Sequence, residues 1–137
     1  MADEINLDTG AALSFVAEGS SIRQQLKAAV QGKTMIMAET ALREFERIVL
    51  TYGGPIEQAR AARFLTRVTR VPDAPSARAQ ALRPTRNLEA TDILILGTGD
   101  ARGAVTLTTD RRAVSAARAQ GVDFQVLLFI SILLMGT

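Results

Sequence analysis

The chain has 137 residues, 47 % of them hydrophobic, which is enough for one domain with its own core. It contains no cysteine and no histidine, excluding disulfides, thiolate or imidazole metal ligands and histidine acid–base catalysis, so such chemistry falls to its 14 aspartates and glutamates. The net charge is only +2, yet Lys27 and Lys33 are the only lysines among the 16 cations. Arginine is the better fork for phosphate, so this excess fits a nucleic-acid partner, and it equally fits a GC-rich coding sequence.

Met1–Glu4 is short and acidic, which predicts no secretory leader and a cytoplasmic protein. Ile5-Asn-Leu-Asp8 reads as a short buried strand ending on an acid, and Thr9-Gly10 opens a helical stretch, AALSFVAEG. Gly19-Ser20-Ser21 is expected to cap the next helix, IRQQLKAAV, and Lys33 to Ala38 reads as a second apolar strand. From Glu39 to Leu50 the apolar residues Leu42, Phe45, Val49 and Leu50 fall at helical spacing, ended by Gly53-Gly54. Pro55 suits the first position of the helix IEQARAARFLTRV. Thr69–Ala74 fits a third strand, and SARAQAL a small helix before Pro84.

The stretch from Leu88 to Val114 has two readings. Either Asp92 begins a buried strand entering a glycine loop, or residues 88–102 are a helix that turns at Gly103 into the strand VTLTT. Under the first reading only about seven residues separate Gly103 from the next acid, too few for the crossover that a parallel strand needs. The helix is therefore predicted, with Asn87 as its N-cap and Glu89 and Asp92 in its first turns. A helix over Arg111–Gln120 follows, with Gly121 at its C-cap, then an apolar end, Phe124–Met135. Phe124–Ile130 fits a fifth, buried strand; Ile132–Met135 either lines a dimer or inhibitor interface or packs on the core. Val126–Met135 is far below the roughly 20 residues that cross a bilayer, so no membrane partner is expected. Strands alternating with helices predict a single α/β domain over residues 1–137, a central parallel sheet of four to five strands covered on both faces.

In such a sheet functional groups gather beyond the carboxyl ends of the strands. Asp8 and Asp110 lie at strand ends, Glu44 on the helix after the second strand, and Asp92 on the helix before the fourth. Clustered carboxylates repel one another, so four that meet in one cleft make sense as a site for hard Mg²⁺ or Mn²⁺. Asp8 and Asp110, on stiff strand ends, are expected as direct ligands; Glu44 and Asp92 are expected to hold bound waters. Taken singly, each acid also has an ordinary structural use as a helix cap, a dipole partner or a solvated charge.

LDT after a strand, TALREF on a helix, ATDILILGT, then TLTTDRRA resemble, in that order, the PIN domain, a metal-dependent nuclease fold. The resemblance covers essentially the whole chain. Asp8 matches the family's first acid, Thr40 and Glu44 its T/S-x-x-x-E helix, Asp92 and Ile95 its D-x-x-I, and Thr108 and Asp110 its T-x-D turn. The resemblance implies a parallel α/β/α sheet and Mg²⁺- or Mn²⁺-dependent endonuclease activity, usually on RNA. Many members are toxins held by an antitoxin or immunity protein, and many form homodimers. Thr9, Thr40 and Thr108 would support the acids, and Arg111 and Arg112, directly after Asp110, would reach the scissile phosphate. A PIN-like module that binds RNA or protein without catalysis is the alternative.

Arg60, Arg63 and Arg67 fall at i, i+3 and i+7, one helical stripe that reads either as a phosphate track for RNA or as a solvated face. Two other local likenesses fail on context. Asp8-Thr-Gly-Ala11 reproduces the tetrad of retroviral-type aspartic proteases, which are all-β, whereas residues 39–68 are helical. GTGDARG at 97–103 has the wrong glycine spacing for a nucleotide loop and comes too late in the chain.

Overall fold

The computed structural model describes residues 3–137; Met1 and Ala2, which open the acidic start, lie outside the described residues. In chain order the elements are β1 (Glu4–Leu7), α1 (Thr9–Val16), α2 (Arg23–Val30), β2 (Thr34–Ala38), α3 (Glu39–Tyr52) and α4 (Pro55–Leu65). There follow β3 (Val68–Val71), α5 (Ala77–Gln80), α6 (Ala90–Ala101), β4 (Val105–Thr108), α7 (Arg111–Ala119) and β5 (Val126–Leu128). The five strands form one fully parallel sheet in the order β3-β2-β1-β4-β5. This is the three-layer, PIN-like α/β/α architecture expected from the sequence.

The order reverses at β1. Connections β1→β2→β3 step one way, while β4 and β5 extend from the other side of β1. Right-handed crossovers then put α1–α4 over one face and α5–α7 over the other, and the buried side chains divide accordingly. Ile5, Leu7, Met35, Met37 and Leu107 pack with Phe15, Leu42, Phe45 and Phe64 in the larger cluster. Ala79, Leu88, Leu96, Ala113 and Ala117 form the smaller one. Phe15 stacks on Phe64 at 5.0 Å between ring centres, and Phe45 tilts against Phe64 at 5.7 Å. Met35–Ala38 is buried throughout, as a central parallel strand must be.

The expected helix over 88–102 is α6. Its N-cap is Glu89 rather than Asn87, because Glu89 and Asp92 form a reciprocal capping box in which the Glu89 amide donates to Asp92 Oδ2 at 2.8 Å. Glycines let α6 sit close to its neighbours. A Cβ on Gly99 would lie 2.5 Å from Thr106 Oγ1 and 2.7 Å from Asn6 Nδ2. Asn6, fully buried on β1, donates to the Ile95 carbonyl at 3.1 Å and to Thr106 Oγ1 at 3.0 Å, tying α6 to the two central strands. Other local expectations shift slightly. Ile22, without a side-chain cap bond, precedes α2 in place of the serines, and Gly121, at φ 92°, follows the C-cap Gln120 of α7.

The apolar end departs most. β5 is three residues long, and Leu127 and Leu128 remain 46 % and 37 % exposed, so it is a half-open edge and not a buried strand. The last sheet bond runs from the Phe129 amide to the Thr108 carbonyl at 2.9 Å. The chain then folds back so that Phe129, Ile132 and Leu134 pack on the larger core while Ile130, Leu133 and Met135 face outward. Glu57, fully buried in α4, holds this segment. Its carboxylate accepts the amides of Met135, Gly136 and Thr137 and that of Glu18, at 2.8–3.2 Å. Burial alone would raise the Glu57 pKa; the four backbone donors outweigh it and hold the pKa below the ordinary glutamate value. Among the described residues no helix is long and apolar enough to cross a membrane.

Two substitutions test this packing in equilibrium denaturation. Glu57→Gln turns an amide N–H₂ toward backbone donors and should cost about 3 kcal/mol, with residues 129–137 losing hydrogen-exchange protection first. Gly99→Ala forces α6 off Thr106 and Asn6 and should cost roughly 1–3 kcal/mol. Wild-type stability in either variant would contradict the packing described.

Candidate functional site

The sheet's order reversal leaves the carboxyl ends of β1 and β4 uncovered by a crossover, and this is where a doubly wound sheet has its crevice. In register Leu7 pairs with Leu107, and the Asp8 amide donates to the Leu107 carbonyl at 3.0 Å. Asp8 and Thr108 therefore emerge side by side. The Thr108 hydroxyl donates to Asp8 Oδ2 and accepts the Asp110 amide at 3.0 Å, bridging the two acids. Asp8 Oδ1 meanwhile caps α1 through the Ala11 amide at 2.7 Å, and Asp110 Oδ1 caps α7 through the Ala113 amide at 3.0 Å. A side chain on Gly10 would collide with Thr109, so the turn after Asp8 needs a glycine to lie against β4.

Glu44 reaches this region from α3, where its Oε1 accepts the Thr9 hydroxyl at 2.7 Å. Asp92, three residues into α6, is half-buried and senses the charges of Asp110 and Glu44; Asp8 senses that of Asp110. Four carboxylates predicted from the sequence thus belong to one electrostatic neighbourhood. Desolvation first, and then the neighbouring negative charge, push the Asp8 pKa up to about 6 against the bonds from Thr108, Ala11 and Thr109. Asp92 likewise rises to about 6, chiefly through desolvation, with Asp110, Glu89 and Glu44 adding to it.

The supporting residues separate. Thr9 and Thr108 touch the acids directly. Thr40 does not: its amide and hydroxyl bind Asp73, at 3.1 and 2.6 Å, so this pair fastens the start of α3 to the chain after β3. Asp73 escaped the sequence reading because nothing local marks a cap that comes from 33 residues away. Arg111 and Arg112 are exposed in the first turn of α7, and their side chains make no hydrogen bond or ion pair with a described residue. Arg60 and Arg63 lie on α4 and Arg67 in the turn after it, since the helix expected to run on through Val68 ends at Leu65. All three are beside the far end of α1 and not at these acids, and Arg60 Nη1 donates to the Val16 carbonyl at 3.1 Å and to Glu18 at 3.2 Å.

The donor set for a cation consists of carboxylate and hydroxyl oxygens, the chemistry of a hard divalent ion. One oxygen each of Glu44, Asp92 and Asp110 accepts no hydrogen bond from a described residue. Among the described residues no three carboxylates stand close enough to enclose one ion together. The donor atoms suit such an ion by their chemistry, while their arrangement offers it few direct protein ligands.

The fold defines a class: a PIN-like α/β/α sheet, here with acidic residues beyond the carboxyl ends of β1 and β4. A family model described as "Protein of unknown function (DUF1308)" matches residues 6–135, and the chain belongs to that family. Two solved structures share the fold. One, the crystal structure of VapBC2 from Rickettsia felis bound to a DNA fragment from their promoter, has a TM-score of 0.63 at 14 % identity, covering 92 % of this chain and 98 % of that one. The other, a domain of a functionally unknown protein from Methanocaldococcus jannaschii DSM 2661, has a TM-score of 0.56 at 15 % identity, covering 96 % and 94 %.

The raised pKa values give a signed test. A folded-state carboxyl that titrates near 6 instead of 3.8 binds protons that the unfolded chain releases, so its penalty is absent below about pH 4 and complete above about pH 6. Stability measured by urea denaturation should fall less between pH 4 and 6 in Asp92→Asn than in wild type. Parallel curves would show that Asp92 is not destabilised by its surroundings.

Proposed function

We propose that this protein is a Mg²⁺- or Mn²⁺-dependent endoribonuclease that works at the Asp8–Glu44–Asp92–Asp110 crevice in the cytoplasm. The observation that carries this reading is the juxtaposition at the uncovered switch point, where Thr108 bridges Asp8 and Asp110 and Thr9, next to Asp8, binds Glu44. Burial first, and neighbouring negative charge with it, raise the Asp8 and Asp92 carboxyls, a perturbation of the kind that clusters at functional sites. Asp110 would hold the ion directly and Glu44 and Asp92 would hold its waters, each through the oxygen that accepts no hydrogen bond. Asp8, whose two oxygens are both engaged, would set the floor of the site in place of the direct-ligand role expected of it. When bound, the ion supplies neutralising charge to a phosphodiester and lowers the pKa of water.

The chain's own residues do the rest. Asp92 Oδ1 takes the proton from the attacking water, a task suited to a group titrating near 6. Water adds to phosphorus, and the ester oxygen departs as an alcohol after protonation by solvent. Arg111 and Arg112 bind the phosphate oxygens. Thr108 keeps Asp8 and Asp110 in register, and Thr9 orients Glu44.

A non-catalytic, protein-binding role draws support from a different surface. Tyr52, 65 % exposed, and Leu133, 80 % exposed, line an apolar groove with Leu13, Ile48 and Leu134. An antitoxin-like or immunity-like protein, or a second copy forming a homodimer, would be the partner there. The decisive measurement is incubation with total RNA in Mg²⁺, Mn²⁺ or EDTA, with mapping of cut ends. Cleavage should require the metal and fall about 10²–10⁴-fold in Asp92→Asn. Metal-dependent cutting that persists in Asp92→Asn and Asp110→Asn alike would belong to a contaminant and leave the binding role.

A further inference from the structure

The far end of α1 carries the opposite charge. Arg23 Nε donates to the Phe15 carbonyl at 2.8 Å and its Nη2 to the Ala17 carbonyl, while Arg60 binds the Val16 carbonyl and Glu18. These two arginines are engaged in closing the helix. Lys27, one turn beyond Arg23 on α2, Arg63 on α4 and Arg67 in the turn after α4 are exposed and make no hydrogen bond or ion pair with a described residue through their side chains. All five cations line one cleft of about 200 Å³, on whose wall Phe15 and Phe64 stack. Only Glu18 forms an ion pair with any of them among the described residues. The uncompensated charge is felt inside the cluster, where burial and then the neighbouring Arg60 lower the Arg23 pKa.

We propose that this cleft binds consecutive phosphates of an RNA strand. Arg60 and Arg63 lie three residues apart on α4, Arg67 lies in the turn that follows it, and Arg23 and Lys27 line the same cleft from α2, so the cations form a row and not a single point of charge. A lone phosphate would engage only part of the row. The cleft sits at one end of α1 and Asp8 caps the other, so about 12 Å of helix separates them. RNA held here reaches the acids only by running along that helix, which makes the cleft a second contact on the strand and not part of the reacting centre. The choice of RNA over other polyanions rests on the reading of the crevice as a ribonuclease.

The test measures binding without cleavage. Fluorescence anisotropy follows a labelled single-stranded RNA of mixed sequence in EDTA, over a range of salt concentrations, for wild type and for the Lys27→Ala/Arg63→Ala/Arg67→Ala variant. These three side chains have no partners to lose, so the variant should match wild type in thermal unfolding. Its RNA affinity should fall at least tenfold at low salt, and its log–log salt slope should shrink by about 2, at ~0.7 per phosphate released. Unchanged affinity and slope overturn the proposal. So does competition by inorganic phosphate or polyglutamate as effective, per charge, as that by unlabelled RNA, which would assign the cleft to a free anion or an acidic protein. RNA that binds through the cleft but is never cut supports this site and overturns the ribonuclease reading alone. RNA that is cut while the triple variant binds as wild type does the reverse.

Discussion

The pairing of β1 with β4 is the constraint on which the site depends. These strands bring together residues about 100 positions apart, and their register sets Asp8 against Thr108. A one-residue slip would exchange the faces of every side chain on β4, burying Leu107 among the polar groups and carrying Thr108 away from Asp8. Two features guard the register. Asn6 bonds Thr106 and the Ile95 carbonyl at once, and Gly99 admits α6 close enough for that bond to form. The Thr108 hydroxyl then acts at both ends, as donor to one acid and acceptor from the backbone of the other.

The acids at this seam are each divided between structure and charge. Asp8, Asp92 and Asp110 all use an oxygen to satisfy a backbone amide at a helix start, where a negative charge is favoured. The same positions crowd like charges together and remove water, which opposes ionisation. Capping requires only an acceptor, and asparagine or serine would supply one at less electrostatic cost. The retained charge is therefore what distinguishes this crevice from an ordinary set of caps. Asp8 differs from the rest because its two oxygens accept from three groups, Ala11, Thr108 and Thr109. Its replacement disturbs the fold as well as the charge, so Asp92 and Asp110 separate the two contributions more cleanly.

How far the sequence discloses all this depends on the range of the interaction. The helix at α6 is legible from a length argument alone, and Pro55 at the start of α4 and the glycines ending α3 follow from backbone rules local to each residue. The positions of Asp8 and Asp110 are legible because both follow a strand directly, whereas Glu44, inside α3, is singled out only by the T-x-x-x-E resemblance. What escapes is long-range polar pairing. Thr40 looks like a partner for Glu44 on the same helix, yet Asp73 claims it. Glu57 reads as an ordinary first-turn acid of α4, and nothing nearby in sequence announces that residues 135–137 fold back onto it. Arg23 and Lys27 join the α4 arginines for the same reason: the stripe is visible on one helix, but the cleft is made by two.

Helix α1 relates the two charged regions. Its N-terminus, capped by Asp8, carries the positive end of the helix dipole into the acidic crevice; its C-terminus presents carbonyls that Arg23 and Arg60 cover. Each pole of an eight-residue helix thus faces the charge that it favours. The arrangement allows a chain with a net charge of only +2 to hold a strongly negative and a strongly positive region one short helix apart. A polyanion approaching the acids unaided would be repelled by them. Cations anchored at the opposite end of the same rigid element attract it without neutralising the carboxylates, whose charge any divalent ion needs. Were the arginines of the cleft paired with the acids, as Arg111 and Arg112 beside Asp110 are not, the pairs would quench one another, and neither region would retain its field.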